Sequence, residues 1–223
     1  MEIPSELGVM TLPHATLFPQ AMIPLYVFEP RYRRMLVDAL ENHRMFVVAM
    51  QRPGAKRESP VAVAGLGMIR VAVENKDGTS HLILHGLMRV KLEKTVRYKP
   101  YRTARIRPLV PETGDNVRLD ALVGRIRDLV CERVKRGFEF PFSINTEKTP
   151  GMDDTANVVT AKDVVAYLER VRDPEQVADL VSCAMLAGSD ERQEILETLE
   201  IEPRLQRLIQ FLTKGSKSKR KKE

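Results

Sequence analysis

The stretch Ile23–Leu40, IPLYVFEPRYRRMLVDAL, holds the junction on which the fold turns. It opens as an apolar, aromatic-rich run, breaks at Glu29-Pro30-Arg31, and then takes the spacing of an amphipathic helix. Ile23, Leu25 and Val27 alternate with Tyr26 and Phe28, the period of a strand. Pro30 has the fixed φ that begins a helix, and its missing N–H costs nothing in a first turn. Glu29 is expected to set a carboxylate beside the open N–H groups of that turn, where the helix dipole favours it. Arg31, Arg33 or Arg34 can reach back to it. Tyr32, Met35, Leu36, Ala39 and Leu40 then bury one helical face. Glu29, Pro30, Arg31 and Tyr32 are therefore read as a structural corner. A catalytic Glu29 would need a base, nucleophile or metal that the sequence does not supply.

Outward from this corner, residues 10–110 read as β-rich. FVVAM (46–50) is a short apolar run, and PVAVAGLGMIRVAV (60–73) is long and valine-rich with glycines at 65 and 67. Asp77-Gly78 in NKDGTS favours a hairpin. HLILHGLMRVKLEKTV (81–96) continues as strand, bent at Gly86, with Met88, Val90 and Leu92 opposed to Arg89, Lys91 and Glu93. YRTARIRPL (101–109) again alternates, Ala104 and Ile106 against Thr103, Arg105 and Arg107. One helix, about 31–42, interrupts the strands. Short strands with turn signals between them imply a small barrel or a strongly bent sheet.

After Pro111 the period becomes helical. Leu119, Leu122, Ile126, Val130 and Val134 form a stripe. Residues 137–159 break it. Further helices have start signals: a capping box over Thr160–Asp163, a cap with a following proline at Asp173-Pro174, and Glu202-Pro203. Gly188 is expected to end one helix, and Ser189, Asp190 and Glu191 to open the next. The last has the stripe Leu205, Leu208, Ile209 and Leu212. The organisation expected is an α+β chain: a β-rich domain over 1–111, a helical domain over 112–213 and a disordered basic tail over 214–223.

The chain has 223 residues, 43% of them hydrophobic, which suits a folded protein of one large or two small domains. No run of 18 apolar residues is present, so no membrane span is expected. Glu2 and Glu6 stand where a secretion signal would be basic, and Cys131 and Cys183 read as free thiols, so a cytoplasmic location is expected. The net charge is +6, but KGSKSKRKKE at the end carries +5 of it. The body is nearly neutral, so the basic pI describes the tail. That tail is a solvated end that could bind nucleic acid or an acidic partner.

Chemistry is largely missing. There is no G-x-x-x-x-G-K-[ST] loop. Gly65-Leu66-Gly67 lacks the third glycine and the following helix of a dinucleotide site. His81 and His85 are about 13 Å apart on a strand, too far to share one zinc. Neither Cys131 nor Cys183 has an adjacent base. No catalytic residue, metal or cofactor is assigned. Two stretches are candidate binding sites. Phe138, Phe140 and Phe142 in GFEFPF form an apolar polypeptide-binding patch if exposed, or pin the connection if buried. Arg97, Tyr98, Lys99, Tyr101, Arg102, Arg105 and Arg107 mix cations with rings that can stack on single-stranded nucleic acid. Their alternative, the favoured one, is the solvated face of a half-buried strand.

In this order the elements resemble the amino-terminal domain of Lon, the ATP-dependent protease. The resemblance is carried by LPHATLFPQAMIPLYVFEPRYRRML (12–36), GLGMIRV (65–71), ILHGLMRVKLEK (83–94) and the DPEQVADLVSCAM to LEIEPRLQRLIQFL region (173–212). Leu66 departs from the threonine usual after the first glycine of that strand. The resemblance implies a PUA-like β-barrel or bent sheet followed by a helical bundle. It implies recognition of substrate polypeptide or a protein partner, as in the substrate-binding part of Lon. Lon's ATPase and Ser-Lys protease modules find no counterpart here, so neither activity is expected of this chain. The rival expectation is RNA binding through the 97–107 stretch and the tail. Self-association is left open.

Overall fold

The computed structural model describes residues 2–55, 57–110, 116–138 and 161–218, apart from the side chains of 116, 161–164 and 215–218. Along the chain lie β1 (Glu6–Leu12), β2 (Met22–Val27), α1 (Pro30–Glu41), β3 (Met45–Met50), β4 (Val63–Glu74), β5 (Ser80–Arg97) and β6 (Thr103–Leu109). Then follow α2 (Asn116–Lys135), α3 (Ala161–Arg170), α4 (Pro174–Met185), α5 (Ser189–Glu197) and α6 (Ile201–Ser218). They form two compact units: residues 1–112 with 187–199, and residues 113–186 with 200–223. Thus α5, late in the sequence, belongs with the strands.

In the first unit the sheet order is β2-β5-β4-β3-β1-β6, and β6 also pairs with β5. The pairings β5–β4–β3–β1–β6 therefore return to β5 and close a ring of five strands. Every ring strand sends side chains into one cluster: Leu7 and Val9, Met45, Val47 and Ala49, Ala64 and Leu66, Val90, Ala104 and Ile106. Alternate residues face outward. On that side Met10, Phe46, Val48, Ile69, Leu82 and Leu84 pack with Tyr32, Met35, Leu36 and Ala39 of α1. Both faces of β3 are thus covered, which is why FVVAM is apolar without alternation and every residue of β3 is buried. Each large apolar side chain buried this way contributes about 1.5–3 kcal/mol. The α1 crossover also explains the parallel pairing of β1 with β3.

Two glycines let a loop lie against the sheet. Leu17 and Phe18 are fully buried. A Cβ at Gly65 would collide with the Leu17 carbonyl, and one at Gly86 with the Phe18 carbonyl. The glycines that fail as a nucleotide loop thus serve a close backbone approach. Helix α5 is tied to the same unit from its middle and its last turn. Gln193 Nε2 donates to the Val63 carbonyl at 2.9 Å, and Arg89 Nε donates to the Leu196 carbonyl at 3.1 Å. Arg89 was expected on a polar face; it is only 2% exposed, because α5 covers it and its last turn offers a carbonyl to a cation.

In the second unit, Leu119, Val123, Ile126, Leu129 and Val130 of α2 are buried, as are Val177, Val181 and Met185 of α4 and Leu205, Leu208 and Leu212 of α6. Arginines complete it. Arg133 donates to the Leu212 carbonyl at 2.6 Å, and fully buried Arg204 faces Glu175 and Asp179 at 3.8 Å each. Asp173 caps α4 as expected, accepting from the Glu175 N–H at 3.0 Å. Gly188 does not end α4, which already stops at Met185. It is the extended residue before α5, with φ −75°. The disorder expected from residue 214 is corrected for 214–218, where α6 continues because helical hydrogen bonding propagates from its anchored stripe. Thr160 lies outside the described residues.

Two outcomes are expected. Gly86→Ala pushes a methyl group into the Phe18 backbone and lowers stability by about 2 kcal/mol or more, read by urea unfolding. His43, just past α1, accepts the Met45 N–H on Nδ1 at 3.1 Å, and burial lowers its pKa below the usual 6.5. The folded state therefore favours neutral imidazole. Its contribution is whole above 6.5 and is lost as pH falls through the lowered value. Between pH about 7.5 and 5.5, wild type should lose more stability than His43→Gln.

Candidate functional site

The corner is held by burial and by Tyr32. Its hydroxyl donates to the Thr11 carbonyl and accepts the Thr11 N–H, both at 3.1 Å, stitching α1 to β1. Burial raises the Tyr32 pKa above the ordinary tyrosine value. Glu29 precedes Pro30 as the residue capping α1, but through its backbone. Its carbonyl accepts the Tyr32 and Arg33 N–H groups at 2.9 Å each, and its carboxylate makes no capping bond. The carboxylate instead takes Arg31 Nε at 2.9 Å. Of the arginines expected to reach back, Arg31 is the one that does, and the carboxylate bonds none of the first-turn N–H groups it was expected to lie beside. Arg34 pairs with Asp38 at 3.0 Å.

Arg31 leads to a cavity of about 310 Å³ lined by Arg31, Arg57, Glu58, Tyr98, Tyr101 and Arg102. Arg31 also pairs with Glu58 through a terminal nitrogen. Arg102 donates to the Glu58 carbonyl at 2.8 Å and to Thr95 at 3.0 Å. Arg102 lies over the Tyr98 ring at 5.0 Å, and Arg97 over the Tyr101 ring at 5.1 Å. Tyr101 itself is buried and donates to Asp38 at 2.8 Å; burial first, then this bond, raises its pKa.

The expected basic stretch is therefore divided. Tyr98, Tyr101 and Arg102 share the cavity, whereas Arg105 pairs with Glu6 at 3.2 Å and Arg107 with Glu93 at 3.1 Å. One row of cations along a strand is not what the fold presents. Arg97 is bonded to Thr103, and Lys99 precedes a cis proline. Phe138 is half-buried just past α2, its N–H bonded to the Arg133 carbonyl at 3.1 Å. Phe140 and Phe142 lie outside the described residues. No group of three or more His, Cys, Asp or Glu side chains suited to a metal occurs among the described residues.

A site that the sequence reading missed lies on β2, β5 and β4. Cross-strand rows place Tyr26 opposite His81 and His81 opposite Val73, Pro24 opposite Ile83 and Ile83 opposite Val71, and Met22 opposite His85 and His85 opposite Met68. Residues directly opposite share a face. Met22 is 60% exposed, Tyr26 50%, Val71 52% and Val73 57%, and Phe28, just past β2, 58%. Tyr26 meets the Phe28 ring at 5.8 Å and the His81 ring at 4.8 Å. The reverse face of these strands packs beneath α1 through Ile23, Leu25, Val27, Leu82 and Leu84. An outer face of a surface sheet is normally polar. The signal was present in MIPLYVF: apolar residues at both parities suit a central strand, yet Pro24 removes a ladder N–H and confines the strand to an edge.

Two substitutions separate the corner's parts. Glu29→Gln removes a half-exposed ion pair and should cost no more than about 1 kcal/mol. Tyr32→Phe leaves buried Thr11 groups unpaired and should cost about 1–3 kcal/mol. Urea unfolding of both checks the order, and a folded Glu29→Gln protein that had lost a measured turnover would restore the catalytic reading.

Comparison with known proteins converges on one family. The model of the ATP-dependent protease La (LON) substrate-binding domain matches residues 6–214. The Lon protease of Dictyoglomus thermophilum is 22% identical over 216 residues, which cover 96% of this chain and 25% of that protein. Lon protease 2 of Myxococcus xanthus is 24% identical over 219 residues, 96% of this chain and 24% of that one. The chain thus spans about a quarter of the length of the curated relatives it matches. The N-terminal domain of a Mycobacterium avium complex Lon protease superposes with a TM-score of 0.70 at 16% identity, covering 93% of this chain and 98% of that one. That of Xanthomonas campestris gives 0.65 at 19%, covering 93% and 99%. The α+β fold is that of Lon N-terminal domains, and the chain belongs to the LON substrate-binding domain family.

Proposed function

We propose that this chain recognises unfolded polypeptide, which it holds on the exposed face of β2, β5 and β4 without cutting it. The observation that carries this is the row of apolar side chains, Met22, Tyr26, Phe28, Val71 and Val73, left in water on an ordered sheet. Their exposure costs solvation free energy that a bound apolar segment would recover. Folded proteins bury such segments, so an unfolded chain is the occupant that offers them. Membership of a substrate-binding family supports the same reading. Phe138, Phe140 and Phe142 remain proposed secondary contacts.

The rival, nucleic acid, gains less support. Arg105 and Arg107 are already paired with carboxylates, and Tyr98 and Tyr101 each have an arginine over one ring face. Binding through the basic end alone would show a steep salt dependence and vanish on deleting 214–223.

The test is titration of a fluorescently labelled protein in its unfolded and native forms. The unfolded form should bind and the native form should not, with salt having a small effect. The double substitution Tyr26→Ser, Phe28→Ser should weaken binding about tenfold or more while leaving the unfolding transition in place. Equal affinity for the two forms, or none for either, would sink the proposal.

A further inference from the structure

The arginine-lined cavity lies close in sequence to the apolar face. Phe28, at the end of that face, is three residues from Arg31, so their Cα atoms are at most about 11 Å apart. Three guanidinium groups, Arg31, Arg57 and Arg102, line the cavity with one carboxylate, Glu58. With Glu29, which pairs with Arg31 from beside the cavity, three cations meet two carboxylates and one positive charge stands in excess, in a body that is otherwise close to neutral.

The three arginines are not equivalent. Arg31 is committed to Glu29 and Glu58. Arg102 is 13% exposed and fixed by Thr95 and the Glu58 carbonyl, but its Nε is buried without a hydrogen-bond partner, 3.7 Å from the nearest Glu58 oxygen. Arg57 is exposed, with no hydrogen bond or ion pair among the described residues. A buried donor without an acceptor costs stability. The cavity is lined by a guanidinium free among the described residues, Arg57, and by a second, Arg102, that meets Glu58 only at 3.7 Å, so its cations have capacity left for an anion.

We infer that this cavity binds a peptide carboxylate, either the free C-terminus of the polypeptide held on the apolar face or an acidic side chain within it. The inference rests on the polypeptide reading and adds its substrate class: an apolar segment followed closely by a carboxylate. Planar carboxylates match guanidinium forks, and one carboxylate, Glu58, already lies between Arg31 and Arg102. A single negative charge is also tolerated beside Glu58 better than a phosphate dianion. The half-open ring of Tyr98, 69% exposed, gives the carboxylate's neighbouring side chain an apolar wall. The volume of about 310 Å³ accepts a carboxylate with one side chain.

The experiment is an NMR titration of the isotopically labelled chain with three probes. They are N-acetyl-leucylphenylalanine, its C-terminal amide, and the amide of N-acetyl-aspartylphenylalanine. The free acid should move resonances of Arg57, Tyr98 and the Arg102 Nε–H, and the neutral amide should not. Movement with the aspartyl amide as well assigns the site to carboxylates in general; movement with the free acid alone assigns it to C-termini. Arg57→Ala, at an exposed position, should weaken the acid at least about fivefold, and Arg57→Glu should abolish its effect on the cavity. If neither acid moves the cavity resonances, or acid and amide move them equally, the inference is wrong. Shifts at Tyr26 and Phe28 without shifts at the cavity remove the carboxylate site and leave the polypeptide reading standing. No shifts anywhere remove both.

Discussion

One strand is used twice, and the β unit depends on it. β5 pairs with β4 along most of its length, with β2 over its first part and with β6 over its second. Gly86 sits at the changeover, where β2 has ended and the buried Leu17–Phe18 loop crosses the sheet. Before Gly86 the strand belongs to an open arm in which β2 is the edge among the described residues. After it the strand belongs to the closed ring. A side chain at this point would drive the loop off the sheet, and the arm and the ring would lose their common support. The candidate peptide face exists because the arm is not enclosed by the ring.

The balance of forces explains why Glu-Pro-Arg-Tyr is structural. Tyr32, Met35, Leu36 and Ala39 are all nearly out of water, and each large side chain there outweighs the half-exposed Glu29–Arg31 pair several-fold. Pro30 sets the direction of the helix, Tyr32 locks it to β1, and the charged residues are left over. Of those charges, Arg31 reaches the arginine-lined cavity. A motif that looks catalytic in sequence sits at a corner whose polar side chains are paired with one another, Arg31 with Glu29 and Glu58.

Much of this was legible from one sequence. The strand-to-helix junction, the hairpin at Asp77-Gly78 and the cap at Asp173 follow from period and local backbone chemistry, and the structure has them; the α2 stripe keeps Leu119, Ile126 and Val130, with Val123 and Leu129 buried and Leu122 and Val134 only half-buried. What was not legible depends on partners distant in the chain. Arg89 alternates like a surface residue and is buried because α5 returns over it from 107 residues away. Gly188 resembles a helix end but has ordinary extended geometry ahead of α5. The basic run at 97–107 looked continuous. Its members part company because Glu6 and Glu93 claim two of them across the sheet, while Arg57 and Glu58 join the others from a loop. Alternation tells which side chains share a face, not what will cover it.

The return of α5 also has a consequence for synthesis. The β unit is not a continuous piece of chain: its final helix emerges only after α2, α3 and α4 have been made. During translation the strands can pair, but the Val63 carbonyl and the Arg89 guanidinium wait for Gln193 and Leu196. Contacts this far apart form slowly because the intervening loop must first close. Until then the ring carries an uncovered cation at Arg89, the form in which the nascent chain most needs protection from its neighbours.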